Sequence, residues 1–307
     1  MSNFKRELRF LVTQACNYEC VFCHKEGQQI AKKDLLLAED YRYLFSIVKE
    51  NFGWNTTTLT GGEPLVRCDI EDIIAELYKE GADITITTNG FLLQERLYVG
   101  NYIRKINLSM HTMKPNVYEN IVQRKNSFHK VVYGIKRFRQ LYPDVSICLN
   151  LTLVRGVNSD ESDILDILKF AESIDADVKF IELFPPNADD VVPSGEIEKI
   201  LIRNGFSSLT SNTRKSNYTR NNITASITKI FCAAALQSDD PGMFCKQNND
   251  LFVLPDGKIK PCRFNMREVD LLTAVKLKND YEVIRLIMES IEVMDEHCSD
   301  YLKKIRM

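Results

Sequence analysis

Val12-Thr13-Gln14-Ala15-Cys16-Asn17-Tyr18-Glu19-Cys20-Val21-Phe22-Cys23 places three cysteines within eight residues, in the spacing C-x3-C-x2-C. Three thiolates from one short loop can hold three corners of an iron–sulfur cube and leave the fourth iron open for another molecule. Two other readings use the same residues. Cysteines at i, i+4 and i+7 would line one face of a helix and pack there. Zinc would also take thiolates, but structural zinc closes on four donors, commonly from two C-x2–4-C pairs.

Outward from this loop, short β-branched runs alternate with amphipathic stretches. Strands are expected over Leu8–Val12, Thr56–Leu59, Ile84–Thr87, Lys105–Met110, Ser146–Leu153 and Val178–Leu183. Helical patterns lie between them at Ala38–Asn51, Ile70–Glu80, Gln94–Gly100, Phe128–Tyr142 and Asp160–Ile174. Such alternation builds a parallel sheet with right-handed crossovers. Six units fall short of a full eight-fold barrel and suit an α/β partial (β/α)6 barrel, whose site would lie at the C-terminal ends of the strands. Pro185-Pro186 breaks the pattern and divides the chain into a barrel region, 1–185, and a C-terminal region, 186–307. In the second region a helix is expected near Ser194–Asn204, and Ser207 to Thr228 reads as polar loop. A β-hairpin fits Asp250–Leu254 and Ile259–Cys262 around Pro255-Asp256-Gly257-Lys258, and Tyr281–Met294 reads as a final helix.

Composition narrows the class. The 307 residues carry 40 basic and 42 acidic side chains, so no net positive field invites a nucleic-acid backbone. The basic run Thr213–Arg220 reads as a solvated loop. Nine cysteines, odd in number and unevenly clustered, in a chain whose N-terminus does not read as a secretion signal, argue for metal or catalytic thiols over disulfides. No apolar run is long enough to span a membrane, and a cytoplasmic protein is expected.

Leu59-Thr60-Gly61-Gly62-Glu63-Pro64-Leu65 ends the second strand. Two glycines there let backbone come close to a ligand, and the adjacent carboxylate can accept from an ammonium group. Joined to the cysteine loop, this turn resembles the radical S-adenosylmethionine (radical SAM) superfamily. The resemblance implies a [4Fe-4S] cluster on Cys16, Cys20 and Cys23, with the amino and carboxyl groups of SAM on the open iron. Gly61, Gly62 and Glu63 would then bind the methionine amine. Thr87-Thr88-Asn89-Gly90 resembles a ribose-contacting turn, with Thr88 and Asn89 toward SAM. Leu108-Ser109-Met110-His111 ends the fourth strand with Ser109 toward SAM. Phe22 matches an aromatic residue that borders adenine, and Arg155 would meet SAM's carboxylate.

Within the superfamily the chain is similar to the GTP cyclase of molybdenum-cofactor biosynthesis over nearly its whole length. The likeness runs through Leu8–Thr13, Asn150–Asn158, Lys179–Glu182, and Phe244-Cys245 to Pro261-Cys262. Cys245-x11-Gly257-x4-Cys262 also fits the twitch form of the SPASM auxiliary domain, which implies a second [4Fe-4S] cluster. The departures are specific. Asn248 stands where the family has an auxiliary cysteine, leaving Cys232 or Cys298 as possible replacement ligands. Asn249-Asp250-Leu251-Phe252 replaces phosphate-gripping arginines, Cys148 a lysine, and the chain ends Lys303-Lys304-Ile305-Arg306-Met307 without a Gly-Gly tail. Together these argue against GTP cyclisation and for another substrate. Arg9, Cys148, Asn150 and Asn248 are the candidate substrate contacts. Cys68 and Cys148 also read as core thiols, and His24 as a neighbour of the cluster loop or a surface residue.

The expected function is a radical SAM enzyme that abstracts hydrogen from a small molecule: a nucleoside, nucleotide or sugar. With no peptide-recognition domain ahead of strand one, modification of a ribosomal peptide is the second reading. A non-catalytic iron–sulfur or zinc redox sensor is the third. The electron donor would be flavodoxin or ferredoxin.

Overall fold

The structure, a computed structural model, describes residues 6–25, 32–183, 189–212, 214–229, 239–240, 245, 248–263, 265 and 267–293. Pro185-Pro186, Cys232, Cys298 and the end of the last predicted helix lie outside the described residues.

The six expected strands form as β1 (Glu7–Thr13), β2 (Thr56–Gly61), β3 (Asp83–Thr88), β4 (Lys105–Ser109), β5 (Ser146–Thr152) and β6 (Asp177–Ile181). They pair in sequence order and all in parallel. The helices α1 (Ala38–Phe52), α2 (Ile70–Lys79), α4 (Phe128–Leu141) and α5 (Glu161–Ser173) cross over between them. In α2, Ile70, Ile73, Ile74 and Leu77 recur at helical spacing and are fully buried, which pins that face to the sheet. Gly53, in the left-handed region at φ 69°, ends α1. The expected helix at Gln94–Gly100 is instead a 3-10 stretch, Leu93–Asn101, kinked at Arg96. A further helix, α3 (Pro115–Val122), starts on a proline at its first turn.

The C-terminal segments complete the sheet. Ser207 to Thr228, read above as loop, is a meander of β7 (Ser207–Ser211), β8 (Lys215–Arg220) and β9 (Ile223–Thr228), preceded by α6 (Ser194–Arg203). β9 lies parallel to β6. Alternate residues Ile223, Ala225 and Ile227 are buried, but the exposed β7 edge is polar apart from the exposed Leu209 and hides this period. The predicted hairpin forms as β10 (Asp250–Val253) and β11 (Lys258–Lys260), with β12 (Val269–Asp270) beyond it. β10 lies parallel to β1. The strand order is β12-β11-β10-β1-β2-β3-β4-β5-β6-β9-β8-β7. Helices α7 (Leu272–Lys276) and α8 (Asp280–Glu292) follow, α8 capped by Asn279, whose Oδ1 accepts from Glu282 N–H at 3.2 Å.

Leu8, Phe10, Leu59, Ile86, Leu108, Leu149 and Phe180 face the helices in one core. On the opposite, inner face Leu11, Phe252 and Leu254 form a small separate cluster. The inner face is otherwise polar, with cross-strand bonds from Thr58 to Glu7 at 2.9 Å and from Asn107 to Thr87 at 3.2 Å. Among the described residues no helix is long and apolar enough to cross a membrane.

Candidate active site

The C-terminal ends of β1 to β6 open on one cavity of about 800 Å³. Cys16, Cys20, Cys23, Gly61, Gly62, Glu63, Thr88, Asn89, Ser109, Phe22, His24, His111 and Arg263 all line it.

The cysteine loop leaves β1 and is held from three sides. Gly62 N–H donates to Thr13 O and Glu63 N–H to Ala15 O, each at 2.8 Å. Gly61 has φ +145°, and a Cβ on it would sit 2.2 Å from Thr13 O; one on Gly62 would sit 2.3 Å from Ala15 O. The glycine pair therefore lets the end of β2 press against the loop's own backbone, where the sequence suggested approach to a ligand. From the second side, Glu19 and Val21 N–H donate to the carbonyls of Val122 and Ile121 in the last turn of α3. Arg124 donates to Asn17 O at 2.7 Å while its guanidinium lies over Phe91. From the third, Asn89 Nδ2 donates to Asn17 Oδ1 at 2.7 Å and reaches Cys16 Sγ at 3.9 Å. Asn89→Ala should lower the melting free energy by about 1–2 kcal/mol, as expected for lost side-chain bonds at a buried position, and lower the iron bound after reconstitution. Thermal melts and iron assays check this.

The thiols suit a cluster. Tyr18 and Lys25 N–H groups each approach a sulfur, Cys16 and Cys23 respectively, at 3.4 Å. Burial pushes the Cys20 thiol up to about 12, and the neighbouring Cys23 and Cys16 thiolates add to the rise. Burial raises Cys16 too. Three thiolates this close repel one another, so a cationic partner is what would ionise them together. Among the described residues no three such ligands close around a single-ion position. All three cysteines line the cavity.

Glu63 is buried with its carboxylate accepting from Thr88 Oγ1 and Asn89 N–H, both at 2.6 Å, and from Leu65 N–H at 3.0 Å. Burial raises its carboxyl to about 7 despite these three donors. A buried carboxylate with this environment gains most from an ammonium group at the cavity.

Not every expected residue arrives there. Arg155 points away: its Nε donates to Val191 O and its guanidinium pairs with Glu196 at 3.0 Å on the surface, because the turn after β5 carries it toward α6. Cys68 is exposed rather than in the core, since the preceding Arg67 takes the inward position beside Tyr41. Cys148 is buried on the inner face, below Asn150, which pairs in register with Ser109 and Lys179. Arg9 lies over Phe252, with Glu7 and Asp250 each 3.7 Å away. Asn248 is buried, donating to Asp250 O at 2.9 Å and to Pro261 O at 3.5 Å. It ties the segment after Cys245 to the one that carries Cys262. Sequence reasoning missed the inner-face lysines Lys105, Lys179 and Lys215. Burial lowers Lys179 and Lys215, and their mutual repulsion with Lys105 deepens the shift. The alternation of β4 and β6 signals Lys105 and Lys179, whereas the polar sequence of β8 hides Lys215.

The radical SAM superfamily model matches residues 10–171. The chain is 32% identical over 288 residues to a probable GTP 3′,8-cyclase of Pyrobaculum aerophilum, spanning 89% of each protein. It is 30% identical over 285 residues to the GTP 3′,8-cyclase of Aquifex aeolicus, spanning 89% of this chain and 86% of that protein. Streptococcus suis SuiB bound to S-adenosylmethionine shares the fold, with a TM-score of 0.63 at 15% identity over 92% of this chain and 68% of that one. The cavity, its three thiols and these kinships lead to one assignment: the chain is an enzyme of the radical SAM superfamily and belongs to the family of the GTP 3′,8-cyclases.

Proposed function

We propose that this enzyme cleaves SAM reductively and abstracts hydrogen from a nucleotide other than GTP. The observation that carries the reading is the convergence of Cys16, Cys20, Cys23 and buried Glu63 on one cavity at the strand ends. When bound, a [4Fe-4S] cluster with SAM supplies an electron and a 5′-deoxyadenosyl radical that takes hydrogen from carbon. The chain's own tasks are to bind, orient and exclude water. The Asn17–Asn89 and Arg124 contacts hold the cysteine loop still. Glu63 holds the methionine ammonium, oriented by Thr88 and the Asn89 amide. Thr88, Asn89 and Ser109 supply polar groups along the strand ends, and Phe22 covers the cluster side. Flavodoxin or ferredoxin would donate the electron, in the cytoplasm.

Lys105, Lys179 and Lys215 favour an anionic substrate on the inner face, because a phosphate would relieve their repulsion. Arg9, Asn150, Cys148 and Asn248 stand around the same face as candidate contacts. The absence of arginines at residues 249–252 favours a substrate whose phosphates are held otherwise than those of GTP. The C-terminal region, 186–307, is proposed as the twitch-like part of a partial barrel, with Cys245 and Cys262 holding a second cluster.

Candidate nucleotides deuterated on the sugar should pass deuterium to 5′-deoxyadenosine, read by mass spectrometry. Lys179→Gln should raise KM for the phosphorylated substrate about tenfold, the loss of one charged contact, and leave KM for its nucleoside unchanged. Turnover of GTP, or an equal effect on nucleoside and nucleotide, would overturn the substrate assignment. Iron in the Cys16→Ala/Cys20→Ala/Cys23→Ala variant should persist; its loss from a folded protein removes the second cluster from the account.

A further inference from the structure

His111 follows β4, lines the cavity and is only 6% exposed. Thr152 N–H donates to its Nδ1 at 3.2 Å, so the neutral ring carries its proton on Nε2. Burial lowers the ring to about 4, which keeps it neutral at ordinary working pH. Its setting is built. Asn158, fully buried, donates to His111 O at 2.8 Å and to Thr152 O at 2.9 Å, and accepts from Val154 N–H at 2.8 Å. That clamp fixes the ends of β4 and β5 on either side of the ring. Phe22, from the cysteine loop, meets the imidazole edge-on at a centroid distance of 4.8 Å. Nε2–H itself has no partner among the described residues. His111 lines the cavity, so an acceptor for this donor can come from a molecule bound there.

We propose that His111 donates its Nε2–H hydrogen bond to an acceptor atom of the adenosyl part of SAM, and so positions the nucleoside in the cavity. This rests on the SAM reading above. Glu63 marks the end that takes the ammonium, next to the thiols. The remainder of SAM must then run along the strand ends, past Ser109, toward the β4–β5 side where His111 and Phe22 stand.

The test is calorimetric binding of S-adenosylhomocysteine to the anaerobic, cluster-loaded protein. His111→Phe keeps an aromatic ring and removes the donor; His111→Gln keeps a donor. We expect His111→Phe to weaken binding about tenfold, the scale of one buried hydrogen bond, and His111→Gln to stay within about threefold of wild type. In the wild-type protein, the ¹⁵N resonance of His111 Nε2 should shift when S-adenosylhomocysteine is added, a readout that does not depend on either variant folding. An unmoved Nε2 resonance, or equal affinities for wild type and His111→Phe, overturns the proposal. No binding by the wild-type protein overturns the SAM reading itself.

Discussion

Gly62→Ala is expected to lower reductive SAM cleavage about a hundredfold, because it displaces the cysteine loop by the order of an ångström and catalysis depends on that geometry. The new Cβ would lie 2.3 Å from Ala15 O and 2.4 Å from Gln14 O. Both are backbone atoms of the loop that carries Cys16, so no side chain can swing aside. The same clash should cost about 1–3 kcal/mol of stability, the usual range for overpacking. Gly195→Ala is the matched control: a Cβ there meets nothing within 4 Å, and its place in the first turn of α6 favours alanine. Iron content after reconstitution, SAM cleavage and thermal melts should all fall for Gly62→Ala and hold for Gly195→Ala. Normal iron and cleavage in Gly62→Ala would show that the glycine pair does not set the loop.

Glu63 should make the stability of the SAM-free protein fall as pH rises. Its folded-state value of about 7 lies above the ordinary 4.5, so burial favours the protonated form. The contribution is fully present below about pH 4.5 and is lost as pH rises through 7, a difference of about 3 kcal/mol at 1.36 kcal/mol per unit. Glu63→Gln cannot titrate. Denaturant melts of the two proteins from pH 4.5 to 8 should therefore diverge, with wild type losing about 3 kcal/mol relative to the variant. A bound ammonium pulls the carboxyl down again, so SAM should recover that loss in wild type and recover less in Glu63→Gln. Parallel pH profiles for the two proteins would contradict the assignment of a strained carboxylate at this position.

The parallel strands were legible because most of them alternate clearly, with apolar residues toward the helices and mostly polar ones toward the inner face. Three cysteines in eight residues and the Gly61-Gly62-Glu63 turn likewise marked stretches that meet at the cavity. What was hidden has physical reasons. β7 and β8 form a largely polar edge, so Ser207 to Arg220 carries little of the apolar alternation that marks a strand. Arg155 lies at a strand end like the residues around it, yet only the turn geometry and Glu196 decide where its side chain goes. His111 has an ordinary composition and neighbours in sequence; its tautomer depends on Thr152, which arrives from another strand. The role of the glycine pair was half legible: close approach was foreseen, but the partner is the loop backbone.

The central claim is that Cys16, Cys20 and Cys23 hold a cluster that cleaves SAM. Anaerobic reconstitution with iron and sulfide, followed by dithionite and SAM, tests it by the release of 5′-deoxyadenosine. Wild type should release it, and Cys16→Ala/Cys20→Ala/Cys23→Ala should release none above background. A fully iron-loaded wild-type protein that yields no 5′-deoxyadenosine, or a triple variant that yields as much as wild type, would contradict it.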